Sequence, residues 1–258
     1  MAYLRVLTAV LVCSCMPLRA EVITVAVAAN FQQPAREIVE VFAAHTGHRV
    51  VLSSASTGKH YAQIINGAPF DLFLAADRRR PEMLEQQGFD HAPRLTYAVG
   101  RLVLWSPDAD QTAEGRLRSG QFDYLAIANP RTAPYGTAAR EALDNLGLWQ
   151  SVRDRLVTGE SVTQALQFAL SGNAQLALVA RSQVGLLDPA GSRWLVSESL
   201  HQPIEQQAIA LNGSPTTLAL LRFLRSEESR TIISRHGYDP GPADTVLVDP
   251  VAPDENRP

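Results

Sequence analysis

Val22-Ile23-Thr24-Val25-Ala26-Val27, running into Ala28-Ala29-Asn30-Phe31, decides how this chain folds. The apolar run reads as a buried strand. Ala35, Ile38, Val39 and Phe42 then recur at the i, i+3, i+4, i+7 spacing of one helix face. Asn30 is a helix-capping residue type, and Pro34 is tolerated only in a first helical turn. A strand ends, small residues turn the chain, and a helix opens at Asn30. Such a start presents unpaired N–H groups and the positive end of a helix dipole, a setting that suits an anion.

Working outward, the same arrangement recurs at Ser54-Ala55-Ser56-Thr57-Gly58, at Ala133-Pro134-Tyr135-Gly136 and at Glu160-Ser161-Val162. The four helix starts are read as converging on one small oxyanion. Residues 22–29, 49–54 and 71–76 are expected as strands, alternating with helices near 33–46, 58–66 and 80–87, with Gly47 and Gly88 as stops. That alternation predicts an α/β fold with a mostly parallel sheet flanked by helices, whose ligands sit beyond the carboxyl ends of the strands.

A second unit follows. Arg101–Trp105, Tyr124–Ala128 and Leu176–Ala180 are expected as strands, with helices near 137–146 and from Val162 to Leu170. Ala208–Leu211 and two further helices, near 215–225 and ending near Gly237, are read as returning to the first unit. The expected division is a lobe of residues 21–98 plus 205–239, a second lobe of 99–204, and two crossovers that leave a cleft. The tail, 240–258, has five prolines and several acids and is expected to be disordered.

The N-terminus has a basic start at Arg5, an apolar stretch from Val6 to Met16 too short to span a bilayer, and Leu18-Arg19-Ala20 at the expected cut. Residues 1–20 read as a secretory signal peptide. Its removal takes away Arg5, Arg19 and no acid, so the formal charge moves from −3 to −5. Both cysteines, Cys13 and Cys15, leave with it, which excludes a disulfide framework in the mature chain. Val12-Cys13-Ser14-Cys15 also loosely matches a lipoprotein box, with Cys15 as the anchor. The only basic run is Arg78-Arg79-Arg80, read as a solvated surface, so a nucleic-acid partner is not expected. An acidic mature protein attracts an anion through local donors, not through its overall field.

These stretches together resemble the molybdate-binding proteins of ABC-type importers. The likeness rests on Ala28-Ala29-Asn30-Phe31; on Ser56-Thr57-Gly58-Lys59 followed by Tyr61-Ala62-Gln63-Ile64 and by Gly67-Ala68-Pro69-Phe70-Asp71 through Asp77; on Asn129-Pro130 through Gly136; and on Glu160-Ser161-Val162. It runs in order from about residue 22 to 239. The resemblance implies a monomeric, two-lobed periplasmic clamshell that delivers molybdate or tungstate to a membrane permease and needs no cofactor. Carried over by position, the ligand shell is Asn30, Ser56, Tyr135 and Val162, with Ala29 adjacent, and no side chain coordinates the metal directly. Some members place a ligand-reaching tyrosine where this chain has Ala180, so one donor is missing, and the Asn30 amide is the expected compensation.

Each residue also has a plainer reading. Asn30 can be a helix cap, Ser56 and Thr57 a polar loop, the Tyr135 ring a wall of the cleft, and the Val162 side chain part of the core. Asp71 and Asp77 flank an apolar strand and read as structural caps or turn contacts, and Lys59 and Arg131 as surface charges near the mouth. The six histidines show no metal-ligand spacing. Two further functions compete on the same residues: a receptor for another oxyanion such as sulfate or phosphate, and an exported hydrolase with Ser56 as nucleophile and His60 or Asp77 as helper. The hydrolase lacks a nucleophile-elbow pattern.

Overall fold

The structure, a computed structural model, describes residues 20–241 except 90, 186 and 188–190. The segment read as a signal peptide, up to Arg19 and with Cys13 and Cys15, lies outside the described residues. So does the proline-rich tail beyond Gly241.

Strand β1 (Val22–Ala28) is followed by a 3-10 turn, Ala29–Phe31, and helix α1 (Gln32–Thr46). Next come β2 (Arg49–Ala55), α2 (Thr57–Ile65), β3 (Leu72–Ala75), α3 (Arg79–Glu85) and β4 (Leu95–Gly100). Arg101 alone separates β4 from β5 (Leu102–Ser106), the first strand of a second sheet. That lobe continues through α4 (Ala113–Ser119), β6 (Leu125–Ala128), α5 (Pro134–Asn145), α6 (Trp149–Val152), β7 (Leu156–Gly159), α7 (Val162–Leu170), β8 (Leu176–Ala180), α8 (Arg181–Val184) and β9 (Ser192–Leu195). The chain returns to the first sheet as β10 (Ile204–Ala210), then α9 (Pro215–Phe223), α10 (Glu227–Arg235) and β11 (Asp239–Pro240).

The first sheet has the order β11-β4-β10-β3-β1-β2, and the second β7-β6-β8-β5-β9. Strand β1 runs parallel to β2 and β3, and β6 runs parallel to β7 and β8. The sheets are nevertheless mixed, not mostly parallel. Strand β10 is antiparallel to both β3 and β4, and β5 is antiparallel to β8 and β9. The cause is the crossover: a strand entering a lobe from the other one is free of the βαβ connection that enforces parallel direction. The first sheet also reaches one strand further than the sequence division. Val99, Gly100 and Ile204 belong to it, and Pro240, read as tail, pairs with Ala98.

Burial on both faces explains why β1 reads as a continuous apolar run. Val25 and Val27 pack with Phe31, Ile38 and Phe42 and with Leu220 and Ile233 on one face. Ala26 faces the other way, with Phe73, Ile209, Ile64 and Leu84. Each such fully buried aliphatic or aromatic side chain contributes about 1.5–3 kcal/mol. Asp71 is structural: its carboxylate accepts from the Thr24 N–H and from Asn212 Nδ2, both at 2.6 Å, tying β1 to the chain beyond β10.

His60 on α2 is fully buried beneath β1. Its ring nitrogens lie 3.2 Å from the Val27 carbonyl oxygen and 3.1 Å from Gln63 Oε1, and Phe70 and Phe73 pack edge-on against the ring. Burial holds its pKa below the ordinary 6.5, against the pull of the hydrogen bonds. Below that value the unfolded chain binds a proton that the folded chain resists. The stability from a neutral His60 is therefore intact above pH 6.5 and is lost as the pH falls toward the folded value. Urea-unfolding midpoints at about pH 7.5 and about pH 5.5 should drop more for the wild type than for His60→Gln; equal drops would assign the pH dependence elsewhere.

Candidate functional site: four helix starts around one pocket

The carboxyl ends of β1, β2, β6 and β7 each lead into a helix whose first residues meet the other three at a single pocket. From the first lobe it is lined by Ala28, Ala29, Asn30, Ser56 and Thr57, and from the second by Ala133, Pro134, Tyr135 and Val162. The cavity these residues leave between the lobes is small, about 10 Å³. All five positions singled out in the sequence, Ala29, Asn30, Ser56, Tyr135 and Val162, are brought together here, and none of the lining residues is charged.

Each plays its part differently. Ser56 stands at the N-cap position of α2 with extended backbone, but its hydroxyl makes no capping bond and is left for the pocket. The Thr57 hydroxyl beside it accepts from the Ala76 N–H at 3.0 Å. Val162 is the first residue of α7; its side chain joins the second lobe's core, while Ser161 Oγ caps the helix by accepting from the Gln164 N–H. Pro134 opens α5 three residues before the expected start, as proline can in a first turn. Tyr135 follows it, and its ring does more than wall the cleft. It is 1% exposed, and its hydroxyl ends against Gly100 at the crossover. First-turn N–H groups have no intrahelical acceptor, so these helix starts are natural donors to an anion.

Asn30 corrects two expectations. It sits inside the 3-10 turn, and Phe31 is the residue that precedes α1, with no side-chain cap. The Asn30 amide also does not compensate for the tyrosine missing at position 180. Its Nδ2 donates to Gln206 Oε1 and to the Tyr238 hydroxyl, both at 2.9 Å, because these buried acceptors lie directly beneath the turn. Ala180 is buried at the end of β8, paired with Leu102, and is not among the lining residues. Ser182, two residues on, donates to the Tyr238 hydroxyl at 2.9 Å and approaches the Asn30 carbonyl at 3.3 Å. Sequence reasoning passed over Gln206, Tyr238, Tyr97 and Ser182. The one local sign was the pair Gln206-Gln207 inside the otherwise apolar run from Ile204 to Ala210.

The electrostatics is that of neutral donors. Burial pushes the phenols of Tyr97 and Tyr135 well above 10 and that of Tyr238 up to about 12, so all three keep their protons. The Asp77 carboxylate accepts from the Arg80 N–H at 3.0 Å and pairs with the Arg80 guanidinium. The His60 ring is turned into the core. Ser56 therefore has neither a base nor an orienting acid, and the nucleophile reading has no machinery. Of the basic run, Arg78 and Arg79 are exposed, with Arg78 paired to Glu205, but Arg80 is not solvated: its side chain is largely buried against Asp77 and the second lobe.

The two lobes touch directly around the pocket. The Gly58 N–H donates to the Thr132 carbonyl at 2.8 Å, Arg80 Nη2 to the Arg131 carbonyl at 3.1 Å, and Thr163 Oγ1 to the Ala29 carbonyl at 3.4 Å.

Residues 23–239 match a family described as bacterial extracellular solute-binding protein. The chain is 45% identical over 234 residues to the molybdate-binding protein ModA of Azotobacter vinelandii, covering 87% of this chain and 92% of that one. It is 41% identical over 228 residues to ModA of Rhodobacter capsulatus, covering 86% and 90%. Its fold superposes on the solved periplasmic molybdate-binding protein of Azotobacter vinelandii with a TM-score of 0.79 and 36% identity, covering 85% of this chain and all of the other.

At Gly58 the backbones of the two lobes are in direct contact. A Cβ there would lie 2.7 Å from the Thr132 carbonyl oxygen and 2.9 Å from its Cα, both backbone atoms that cannot swing aside. Gly58→Ala should therefore hold the lobes apart. Small-angle scattering should show a larger radius of gyration than wild type under the same conditions; superimposable profiles would mean that this contact is not kept in solution.

Proposed function

The chain belongs to the bacterial extracellular solute-binding proteins, and we propose that the solute it holds between its lobes is molybdate, with tungstate as a second cargo, for delivery to the permease of an ABC importer. It is a binding protein and not an enzyme. The observation that carries the reading is the uncharged pocket ringed by four helix starts, two from each lobe. The relatives 45% and 41% identical, both named for molybdate, support the choice of ion.

The chemistry follows from what a tetrahedral oxyanion offers. Fully deprotonated, it only accepts hydrogen bonds, so it needs a shell of donors. The backbone N–H groups near Asn30, Ser56, Tyr135 and Val162, and the Ser56 hydroxyl, form such a shell. Each hydrogen bond to a charged partner contributes roughly 1.5–3 kcal/mol. Phosphate carries a proton near neutral pH and would need an acceptor, and no carboxylate lines the pocket. Sulfate offers the same charge in a smaller tetrahedron, so a rigid shell sized for molybdate reaches it with longer hydrogen bonds. Closure of the lobes around the ion removes it from water and presents one shape to the permease. We assign the mature protein to the periplasm as a monomer, exported by residues 1–20.

Two measurements test this. Thermal denaturation of the mature chain should show a large upward shift with molybdate and tungstate and little with sulfate or phosphate. Ligand at a thousandfold excess over Kd adds about 4 kcal/mol of stability. A dominant shift with sulfate or phosphate would reassign the cargo, and no shift with any of the four would sink the oxyanion reading. In calorimetric titration, Ser56→Ala should weaken molybdate binding by about 10- to 100-fold, the loss of one charge-assisted hydrogen bond.

A further inference from the structure

Strand β10 is a buried strand that carries two glutamines. A β-bulge against β4 falls between them: Gln206 pairs with Ala98 and Gln207 with Thr96, which leaves Tyr97 as the extra residue. Bulges re-aim side chains and are over-represented beside functional sites. Here Gln207 turns to Arg94 and Thr96. Gln206, fully buried, turns to the opposite face, where its Oε1 accepts from Asn30 Nδ2 at 2.9 Å and from the Tyr97 hydroxyl at 3.2 Å.

The other end of the same amide points across the lobe boundary. Gln206 Nε2 is buried without a hydrogen-bond partner, and so is the hydroxyl of Tyr135. The two atoms lie together over Gly100, the last residue of β4. A Cβ at that position would collide with the Tyr135 hydroxyl and lie 2.9 Å from Gln206 Nε2. An unpaired buried donor beside an unpaired buried hydroxyl is a costly arrangement that a small further approach of α5 to β10 relieves. One side chain thus touches a pocket residue from each lobe. The bond to Asn30 lies within the first lobe, whereas the approach to Tyr135 is made across the lobe boundary.

We propose that Gln206 is a positioning residue of the oxyanion pocket, whose carbonyl fixes Asn30 and whose amide receives the Tyr135 hydroxyl on closure, so that closing the lobes and retaining the ion are one event. The inference rests on the pocket being the ligand site. Tyr238 supports it from below, donating to the Asn30 carbonyl at 2.7 Å while accepting from Asn30 Nδ2 and Ser182 Oγ.

The test follows release of isotope-labelled molybdate from the full mature protein on chase with unlabelled ion. Gln206→Met keeps the volume and removes both polar ends, and Tyr135→Phe removes only the hydroxyl. Each should speed release about tenfold, the equivalent of one hydrogen bond, with the association rate within about twofold of wild type. The double variant should release no faster than Gln206→Met alone. A wild-type release rate in Gln206→Met overturns the proposal, as do multiplying effects in the double variant. A purely structural role would lower the melting temperature of the ligand-free protein and leave release unchanged. A wild type that retains no molybdate overturns the cargo reading by itself. The inference is then read on whichever of tungstate, sulfate or phosphate the thermal series shows to bind: Gln206→Met must speed that ion's release, and an unchanged release rate overturns the latch.

Discussion

Unpaired backbone N–H groups at helix starts are the constraint around which this molecule is built. Every α-helix leaves its first-turn donors without acceptors, and a soluble protein ordinarily gives them to water or to a capping side chain. Here the residues at or beside four helix starts are themselves buried: Asn30 is 4% exposed, Ser56 6%, Tyr135 1% and Val162 4%. Burial without acceptors is expensive, and under the proposed function a bound oxyanion would offset it by accepting from all four directions. The βαβ units place these starts at the carboxyl edges of the two sheets. Two lobes are required because one sheet edge supplies only half of a closed shell.

The second consequence is that closure and the site share atoms. The chain passes between lobes at Arg101 and again between Leu195 and Ile204. The Arg101 guanidinium pairs with Glu198 on the second connection and with Asp239 beside the first sheet, so both connections are tied at one cation. The polar cluster of Asn30, Tyr97, Ser182, Gln206 and Tyr238 lies beneath the turn that opens the pocket. Low dielectric makes such a network strong when satisfied and costly when it is not.

Much of this was legible in the sequence, and the limits have physical causes. Strands β1, β2, β3, β6 and β8 and helices α1, α2, α5 and α7 each carry an unmixed period and their own turn residues. Strand β4 was hidden because only Arg101 separates it from β5, and Gly100 is the single break signal between Leu95 and Ser106. Strands β7 and β9 are four-residue edge strands with partly exposed faces, too short for a period to stand out. The four pocket stretches were readable because a strand end, a turn and a helix start are adjacent in the chain. The layer behind them was not. Asn30 meets Gln206 across 176 residues of separation and Tyr238 across 208. Local pattern carries no information about pairs so distant, beyond the oddity of two glutamines in an apolar strand.

The substitution at position 180 shows how the site redistributes its donors. A tyrosine there would reach the pocket from the second lobe, whereas Ala180 brings no donor. The buried phenol nearest to Asn30 is instead Tyr238, from the first lobe, and it spends its proton on the Asn30 carbonyl. It reinforces the turn and does not face the pocket. The Asn30 amide is likewise consumed in holding its own turn. If this pocket holds the proposed oxyanion, its shell has fewer side-chain donors, and selection would rest on the rigidity of backbone donors more than on the number of hydrogen bonds. A shell held by backbone discriminates by size, because peptide N–H groups at helix starts cannot lean inward to follow a smaller ion as a flexible lysine or arginine would.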